Sequence, residues 1–319
     1  MRLLVVGLVS LACASSSGAD VASELQRMLV RHPDADANAD GALTEEEAAS
    51  YIFHTRQGGR MNRGSGIRNR ALIDAYEARS HESMPYRLMK PIRIEARKRY
   101  PLIVSLHGSG GVGDDNLSNL RFWNGVMARQ EWRQQYPCFV LVPQRRPGGI
   151  WGPKPDVPGT EDLFVRDDLT PTFEIIESLR QEFPIDSDRI YALGSSGGGA
   201  GTWNIVHARP DMFAAAIPVC GRFNPAYASR LAHLPIWVFH GDADPLISVE
   251  YSRSAFAVLR EAGGNIKYTE LRGIKHSSWI QAFTYVGDDE SKGYLTHLGN
   301  ENSDPTADVW EWLFARRKQ

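Results

Sequence analysis

The stretch that decides the fold is Arg189 to Trp203, which reads R-I-Y-A-L-G-S-S-G-G-G-A-G-T-W. Its first part, Ile190 to Leu193, is an apolar run long enough for a buried strand, and a helix-compatible segment begins at Ala200. Between them lies a G-x-S-x-G pattern centred on Ser196. A strand that turns this sharply into a helix leaves room only for small residues around the serine. The pattern therefore predicts a nucleophile exposed at the tip of a strand-turn-helix.

Strand and helix patterns alternate along the remainder of the chain. This alternation predicts an α/β fold with a doubly wound, mostly parallel sheet, whose active site lies at the carboxyl ends of the strands. Met84 to Pro91 is predicted to be an edge strand because its prolines lie near its ends. The other predicted strands are Leu102–Leu106, Phe139–Val142, Ile190–Leu193, Ala214–Val219, Ile236–Phe239 and Ile266–Leu271, and the predicted helices include Leu117–Gln134, Leu169–Glu182 and Val249–Ala262.

A glycine-rich loop, H-G-S-G-G-V-G, follows the predicted central strand. It has no G-K-[ST] sequence, so a phosphate-binding P-loop is disfavoured. We expect a backbone N–H near Ser109 or Gly110 to form an oxyanion hole together with the N–H of Gly197. His107, at the end of the strand, is interpreted as a structural anchor for this loop.

A general base and an acid are predicted from two later strand ends. His276 follows the last predicted parallel strand and lies in K-H-S-S-W. A serine hydroxyl needs such a base within hydrogen-bond reach, and a carboxylate that orients the imidazole. The loop F-H-G-D-A-D-P offers Asp242 and Asp244, and spacing alone does not separate them.

These motifs together resemble secreted esterases and predicted peptidases of the α/β-hydrolase superfamily, close to feruloyl-esterase-like and polyhydroxybutyrate-depolymerase-like enzymes. The resemblance implies an α/β-hydrolase fold, a catalytic triad of Ser196, Asp244 and His276, and a carboxylic ester substrate, either small or linked to a polysaccharide or polyester. It implies no cofactor for catalysis. The residues that carry it are P-Y-R-L-M-K-P from Pro85, Y-P-L-I-V-S-L-H-G-S-G-G-V-G-D-D-N from Tyr100, V-P-Q from Val142, G-S-S-G-G-G-A-G-T-W from Gly194, A-A-I-P-V-C-G from Ala215, F-H-G-D-A-D-P from Phe239 and K-H-S-S-W from Lys275.

Two alternative functions stay open at this point. One is a serine peptidase of the prolyl-oligopeptidase type. Against it, we find no segment of the sequence that would form the large domain that screens peptide substrates in such enzymes. The other is a catalytically silent calcium-binding surface protein, against which the intact Ser, Asp and His argue. Trp151 and Trp279 adjoin strand ends and are candidates for either the substrate cleft or the core. The polar stretch from Ala282 to Pro305 is expected to form a rim over the site.

The N-terminus has the pattern of an export signal. Arg2 precedes a short apolar core, and Ser17-Gly18-Ala19 supplies the small residues before a cleavage point. A lipoprotein anchored through Cys13 is the less favoured alternative to soluble export. We therefore expect a signal peptide over 1–19, a calcium-binding segment over 20–55, a linker over 56–70 and a catalytic domain over 71–319 in a secreted or periplasmic protein.

A calcium site is predicted from residues 36–47, D-A-N-A-D-G-A-L-T-E-E-E. The spacing matches the twelve-residue EF-hand loop, which needs oxygen ligands at positions 1, 3, 5 and 12 and a glycine at position 6. We expect a small helical EF-hand segment that binds Ca²⁺. The predicted ligands are the side chains of Asp36, Asn38, Asp40 and Glu47 and the carbonyl of Ala42.

Charge, hydropathy and cysteine positions limit which partners and which cross-links are expected. A net charge of −2 at pH 7 gives no reason to expect a nucleic acid partner. The leading apolar run is too short for a stable membrane span. Cys138 and Cys220 fall at opposite ends of their predicted strands, too far apart for a disulfide, so we expect two free, buried thiols.

Overall fold

The computed structural model describes residues 22–23, 25–27, 42–43, 70–152, 166–301 and 303–318. The chain divides into two compact units, residues 1–65 and residues 66–319. The predicted signal peptide and the side-chain calcium ligands Asp36, Asn38, Asp40 and Glu47 lie outside the described residues. In the first unit residues 22–23 and 25–27 are helical, and Leu43, beside Ala42, is buried. The calcium site therefore stays a prediction.

The second unit is built on a nine-stranded mixed sheet. In chain order the strands are β1 (Tyr76–His81), β2 (Met84–Met89), β3 (Tyr100–Leu106), β4 (Phe139–Pro143), β5 (Ile185–Ser195), β6 (Ala215–Val219), β7 (Ile236–Gly241), β8 (Ile266–Leu271) and β9 (Tyr294–Leu298). Their order across the sheet is β1-β2-β4-β3-β5-β6-β7-β8-β9. The strands from β4 to β8 in this order pair in parallel, and the outer strands β1, β2 and β9 pair antiparallel. The predicted doubly wound sheet is thereby confirmed.

The prediction that the strand from Met84 lies at the sheet edge is wrong. β2 lies between β1 and β4, and the edge is formed by the polar sequence of β1, Y-E-A-R-S-H. Pro85 is tolerated here because it lies next to the hairpin turn, and its carbonyl accepts a hydrogen bond from Gln144 N–H at 2.8 Å. The charged residues of β1 instead protect the exposed edge.

Helices cover both faces of the sheet. Alternate residues of β3 face opposite ways: Leu102, Val104 and Leu106 join one apolar cluster, and Ile103 joins the other. In the described part of the chain no helix is long and apolar enough to cross a lipid bilayer. The α-helices described in this unit are α1 (Arg70–Asp74), α2 (Phe122–Ala128), α3 (Gln130–Gln135), α4 (Leu169–Glu182), α5 (Gly197–Ala208), α6 (Ala228–Leu231), α7 (Glu250–Glu261), α8 (Trp279–Ala282) and α9 (Val309–Phe314).

The single helix predicted over Leu117–Gln134 is replaced by a turn and two short helices. Asp115 explains the late start, because its Oδ1 accepts hydrogen bonds from the N–H groups of Leu117 and Ser118 and so stabilises a turn. The helix begins only at Phe122. Arg129, at φ −63° and ψ 142°, separates α2 from α3.

The predicted rim from Ala282 to Pro305 contains the last strand of the sheet. β9 pairs antiparallel with β8, from Lys267 opposite Leu298 to Leu271 opposite Tyr294. Its polar sequence, Y-L-T-H-L, fits an edge position that is open to solvent on one side. The segment thus extends the sheet, which its high content of Gly, Asp and Asn did not indicate.

A lysine is buried under this edge. The side chain of Lys267 in β8 is 1% exposed, and its Nζ donates to the Thr306 carbonyl at 2.6 Å. The ammonium also lies 3.5 Å from the ring centroid of Trp237. Burial lowers the pKa of Lys267 to about 8. A buried cation of this kind links the stability of the domain to pH.

We expect the free energy of unfolding of wild type, relative to that of Lys267→Met, to rise as pH increases from about 8 to 10. The unfolded chain binds a proton on Lys267 up to its ordinary pKa of about 10.4, whereas the folded chain releases it near pH 8. Stability from this group is complete above the unfolded pKa and is lost as pH falls through the folded pKa. The expected change is on the order of 1–3 kcal/mol. Urea denaturation of both proteins across this range measures it, and parallel curves would contradict it.

Candidate active site

Ser196 lies at the turn between β5 and α5. Its backbone has φ 59° and ψ −121°, and its N–H donates to the Val219 carbonyl at 3.0 Å. A Cβ on Gly194 would lie 2.5 Å from the carbonyl oxygens of Gly198 and Leu106, and a Cβ on Gly198 would lie 1.9 Å from that of Leu106. Any side chain at either glycine would therefore force β3, β5 and α5 apart. This crowding exposes Ser196 at the carboxyl end of the sheet.

Ser196, His276 and Asp244 form a continuous hydrogen-bonded chain. The Oγ of Ser196 lies 2.9 Å from Nε2 of His276, and Nδ1 of His276 lies 2.7 Å from Oδ2 of Asp244. The three residues come from the loops after β5, β8 and β7, which are parallel strands that end at the same edge of the sheet. His276 is 18% exposed and can meet a substrate, whereas the Asp244 side chain is fully buried. The arrangement can move a proton from the serine hydroxyl to the imidazole.

The Asp244 carboxylate is stabilised in its charged form. Burial alone would raise its pKa, but hydrogen bonds from the backbone N–H groups of Ile247 and Leu246 and from His276 lower the pKa below its ordinary value. Both backbone donors bind Oδ1, at 2.8 Å from Leu246 and 3.0 Å from Ile247. Oδ2 is left to face the imidazole. Asp242, by contrast, accepts the Gly273 N–H at 2.5 Å in an exposed turn.

A second histidine contacts Asp244, and the sequence analysis did not identify it. His240 is fully buried, and its Nε2 lies 3.3 Å from Asp244 Oδ2 and 3.0 Å from the Ile247 carbonyl. Both of these neighbours accept hydrogen bonds, so Nε2 carries the proton and Nδ1 accepts from the Ser252 hydroxyl at 2.7 Å. Burial lowers the pKa of His240 and favours this neutral form. Its position at the end of β7 was the available signal.

The loop after β3 is anchored by His107. The ring is fully buried, and burial lowers its pKa to about 3. Its Nε2 accepts from Arg145 N–H at 2.9 Å, so the proton lies on Nδ1, 2.6 Å from the Gly108 carbonyl. These contacts are those of a structural anchor, as the sequence predicted. Trp151 also binds here, since its Nε1 donates to the His107 carbonyl at 2.9 Å and its side chain is buried in the core.

The predicted oxyanion-hole residues belong to two segments, the loop after β3 and the first turn of α5. Ser109 and Gly110 belong to a short 3₁₀ turn over residues 109–111, and a Cβ placed on Gly197 would lie 3.8 Å from the Ser109 backbone nitrogen. The Gly110 carbonyl accepts from Nη1 of Arg121 at 3.1 Å, which holds the turn in place. Gly197 is the first residue of α5, where backbone N–H groups have no partner within the helix.

Two side chains flank the hydrogen-bonded chain. Trp279 packs edge to face on His276, with ring centroids 5.7 Å apart. Cys220 follows β6, and its Sγ lies 3.4 Å from the Oγ of Ser195 and 3.8 Å from the His276 carbonyl oxygen. Cys220 and Cys138 are both free and buried, which confirms the expectation for the two thiols.

Known hydrolases resemble this chain in structure and in sequence. A crystal structure of a thermostable esterase superposes with a TM-score of 0.63 at 33% sequence identity, over 77% of this chain and 64% of the esterase chain. The chain has the α/β-hydrolase fold. Acyl-protein thioesterase 1 of Neurospora crassa is 25% identical over 231 residues, which are 62% of this chain and 89% of the thioesterase. These similarities support a hydrolase.

Two further matches are more partial. The family model of the prolyl oligopeptidase family matches residues 166–232, which include Ser196 and neither Asp244 nor His276. The bifunctional acetylxylan esterase/xylanase XynS20E of Neocallimastix patriciarum is 30% identical over 152 residues, 47% of this chain and 20% of that protein. The chain thus spans a fifth of this relative and just under two thirds of the thermostable esterase.

Proposed function

We propose that the protein is a serine hydrolase that cleaves carboxylic esters through an acyl-enzyme, with Ser196 as nucleophile, His276 as base and Asp244 as orienting acid. The observation that carries the proposal is the pair of hydrogen bonds on His276, 2.9 Å to the serine hydroxyl and 2.7 Å to the carboxylate. A serine in such a chain is activated without a metal or an organic cofactor. The fold shared with the thermostable esterase supports the same conclusion.

The reaction proceeds in two halves. Ser196 Oγ attacks the ester carbonyl carbon while its proton passes to Nε2 of His276. The Asp244 carboxylate holds Nδ1–H and stabilises the imidazolium. His276 then gives the proton to the departing alcohol, which leaves an acyl group on Ser196. Water repeats the sequence: it loses its proton to His276 as it attacks the acyl carbon, and the carboxylic acid leaves as Oγ regains the proton.

The negative charge that forms on the carbonyl oxygen needs fixed donors. We assign these to the backbone N–H groups of Gly197, at the start of α5, and of Ser109 or Gly110, in the loop after the neighbouring strand β3. Donors held rigidly before the reaction stabilise the transition state without reorganisation, and the loss of one typically costs about 10²–10³ in kcat. The buried His107 and Arg121 provide that rigidity, because they hydrogen-bond the carbonyls of Gly108 and Gly110.

We assign esters as the substrate class, ahead of peptides. Amide hydrolysis needs protonation of a poor leaving group and usually a cleft that holds several residues of extended chain. Between Ser196 and His276 every strand belongs to the sheet and every helix of eight residues or more packs on it, so this span adds no cap over the site. The substrates we propose are small esters or esters on a polysaccharide or polyester. A peptidase is the second candidate, favoured by the prolyl oligopeptidase match over residues 166–232.

The test presents one acyl group as its p-nitrophenyl ester, its alkyl ester and its p-nitroanilide. We expect kcat/KM for the alkyl ester to exceed that for the anilide by a wide margin. An anilide cleaved as fast as the alkyl ester would instead favour the peptidase. Feruloyl, acetyl and short-chain aryl esters tested in the same format then identify the preferred acyl group.

We also propose that the protein is exported, with residues 1–19 as a cleaved signal, and that residues 36–47 bind Ca²⁺ apart from the catalytic unit. The support is the sequence pattern, together with a division of the chain into units 1–65 and 66–319 that falls within the predicted linker 56–70. Edman sequencing of the mature protein from culture medium or periplasm locates the cleavage.

Calcium titration is expected to give a dissociation constant on the order of 10⁻⁵ to 10⁻³ M. Glu47→Gln should abolish binding because it removes the bidentate carboxylate at position 12, whereas Glu46→Gln, one residue earlier, should retain it. Because the site and the triad belong to separate units, we expect ester hydrolysis to continue after chelation with EDTA. Isothermal titration calorimetry and a hydrolysis assay measure the two effects, and strict dependence of activity on Ca²⁺ would contradict the second.

A further inference from the structure

Arg145 lies beside the loop that carries Ser109, directly beyond the end of β4. Its backbone N–H donates to Nε2 of His107 at 2.9 Å, and its carbonyl accepts from Gly113 N–H at 3.1 Å. Both hydrogen-bonding groups of the Arg145 backbone are therefore tied to the loop after β3. The first atoms of the side chain are fixed with them, at the carboxyl edge of the sheet where Ser196 stands.

The guanidinium of Arg145 reaches the nucleophile elbow. Its Nη2 lies 3.9 Å from the position that a Cβ would occupy on Gly197. The Nε atom is buried and has no hydrogen-bond partner in the part of the chain that the structure describes. Burial lowers the pKa of Arg145, although Asp168 opposes the shift, and a guanidinium stays protonated in either case. A half-buried cation is costly to the protein, and an anionic ligand that pairs with the Nη end of the guanidinium offsets that cost.

We propose that Arg145 binds a carboxylate of the substrate, held beside the Gly197 and Ser109 amides. The inference rests on the ester hydrolysis proposed above and narrows its substrates to esters that carry a carboxylate a few atoms from the scissile carbonyl. A guanidinium presents a planar fork of N–H donors that matches the two oxygens of a carboxylate, which selects this group over a neutral one of similar size. The carboxylate belongs either to the acyl group or to the alcohol.

Among the described residues, Asp168 is the carboxylate whose charge acts on this cation. It is fully buried, with Oδ1 4.0 Å from Nη2 of Arg146, the next residue along the chain. A Cβ on Gly149 would lie 1.6 Å from Asp168 Oδ2 and 3.1 Å from Arg145 Cγ, so the carboxylate lies against the stem of the Arg145 side chain and the Gly149 backbone. Asp168 offsets part of the charge of Arg145 and leaves its Nε unpaired.

The first experiment uses wild-type protein and two matched pairs of esters. For the acyl side, mono-p-nitrophenyl glutarate is compared with p-nitrophenyl valerate; for the alcohol side, 3-acetoxybenzoate is compared with 3-acetoxybenzamide. Uncatalysed rates are subtracted. We expect kcat/KM for the charged ester to exceed that for its neutral partner by roughly 10- to 100-fold in one of the pairs, the range for a charged hydrogen-bonded pair. The pair that responds identifies which side of the ester carries the carboxylate.

The second experiment compares this ratio among variants. Arg145→Gln keeps much of the length of the side chain and removes its charge, so the ratio should fall to near unity, and Arg145→Lys should restore part of it. Arg146→Gln is the matched control, because Arg146 is directed to the Ser83 hydroxyl and toward Asp168. We expect Arg146→Gln to keep the wild-type ratio.

Three results would overturn the proposal: no preference for the charged ester in either pair, an equal loss on charged and neutral esters in Arg145→Gln, or a ratio that falls as much in Arg146→Gln. If Arg145→Gln does not fold, competitive inhibition of wild-type hydrolysis of the neutral esters by glutarate or benzoate takes its place, and absence of inhibition by both overturns it. Failure of the proposed function is a separate result, in which the neutral esters are not hydrolysed and a fluorophosphonate does not label Ser196.

Discussion

Replacement of Ser196 by alanine is expected to lower kcat for ester hydrolysis by roughly 10⁴-fold or more, the effect of removing a triad nucleophile. Alanine keeps the Cβ and fits the same positive φ, so the elbow and the free energy of unfolding should change little. Only the Oγ that lies 2.9 Å from His276 Nε2 is lost. Steady-state kinetics, with thermal unfolding of the same preparation, separate loss of chemistry from loss of fold.

Ser195→Ala is the matched control one residue earlier. The Ser195 side chain is 2% exposed, and its Oγ points to Cys220 Sγ at 3.4 Å, away from the substrate side of the elbow. We expect Ser195→Ala to retain activity and to be labelled by a fluorophosphonate at Ser196, as peptide mass spectrometry can determine. An inactive Ser195→Ala together with an active Ser196→Ala would mean that Ser195, and not Ser196, is the nucleophile.

The elbow was predictable because its causes are local. Strand, turn and helix follow one another within fifteen residues, and the glycines at 194 and 198 are required by carbonyl oxygens at 2.5 Å and 1.9 Å from their would-be Cβ atoms. The central strands were predictable for a related reason. A strand buried on both faces is a continuous apolar run, and all seven residues of β3 are buried.

The edge strands of the sheet were harder to predict. Because they are open to solvent, their sequences are polar and lack the apolar run that marks a buried strand. β1 and β9 contain Glu, Arg, His and Thr, and neither has a continuous apolar run. Their partners, β2 and β8, determine that they are strands. The helix expected over Leu117–Gln134 was likewise overridden by local chemistry, since the Asp115 side chain competes for backbone N–H groups.

Within the candidate site, the spacing of residues along the sequence does not predict contacts between side chains that come from different elements of the fold. Residue order placed Ser196 and His276 after strands of one parallel sheet, whose carboxyl ends lie at the same edge. The position of His240 at the end of β7 put it close to the site, but its contact with Asp244 at 3.3 Å depends on how the loop after β7 folds back over the strand end. The position of Arg145 is of the same kind, since it follows from a hydrogen bond to His107, 38 residues earlier. Such contacts belong to the tertiary structure.

Replacement of Asp244 by asparagine is expected to lower kcat by about 10⁴-fold, the wrong-tautomer effect measured in serine proteases. The structure explains why an isosteric amide would fail. The backbone N–H groups of Leu246 and Ile247 both donate to Oδ1, so the oxygen of an asparagine would keep that place and its NH₂ would replace Oδ2. His276 would then present Nδ1 as an acceptor to this NH₂ and carry its proton on Nε2. A protonated Nε2 cannot take the proton from Ser196.

Asp242→Asn tests whether this effect is specific. Asp242 accepts the Gly273 N–H at 2.5 Å through Oδ1 in an exposed turn, a bond that an asparagine oxygen can keep. Its activity should therefore stay close to that of wild type. The pH profiles give a second readout, because any residual activity of Asp244→Asn should rise at alkaline pH, where hydroxide can replace the missing base. Comparable losses in the two variants would show that His276 is oriented by something other than Asp244, and would leave the 2.7 Å contact between them without a catalytic role.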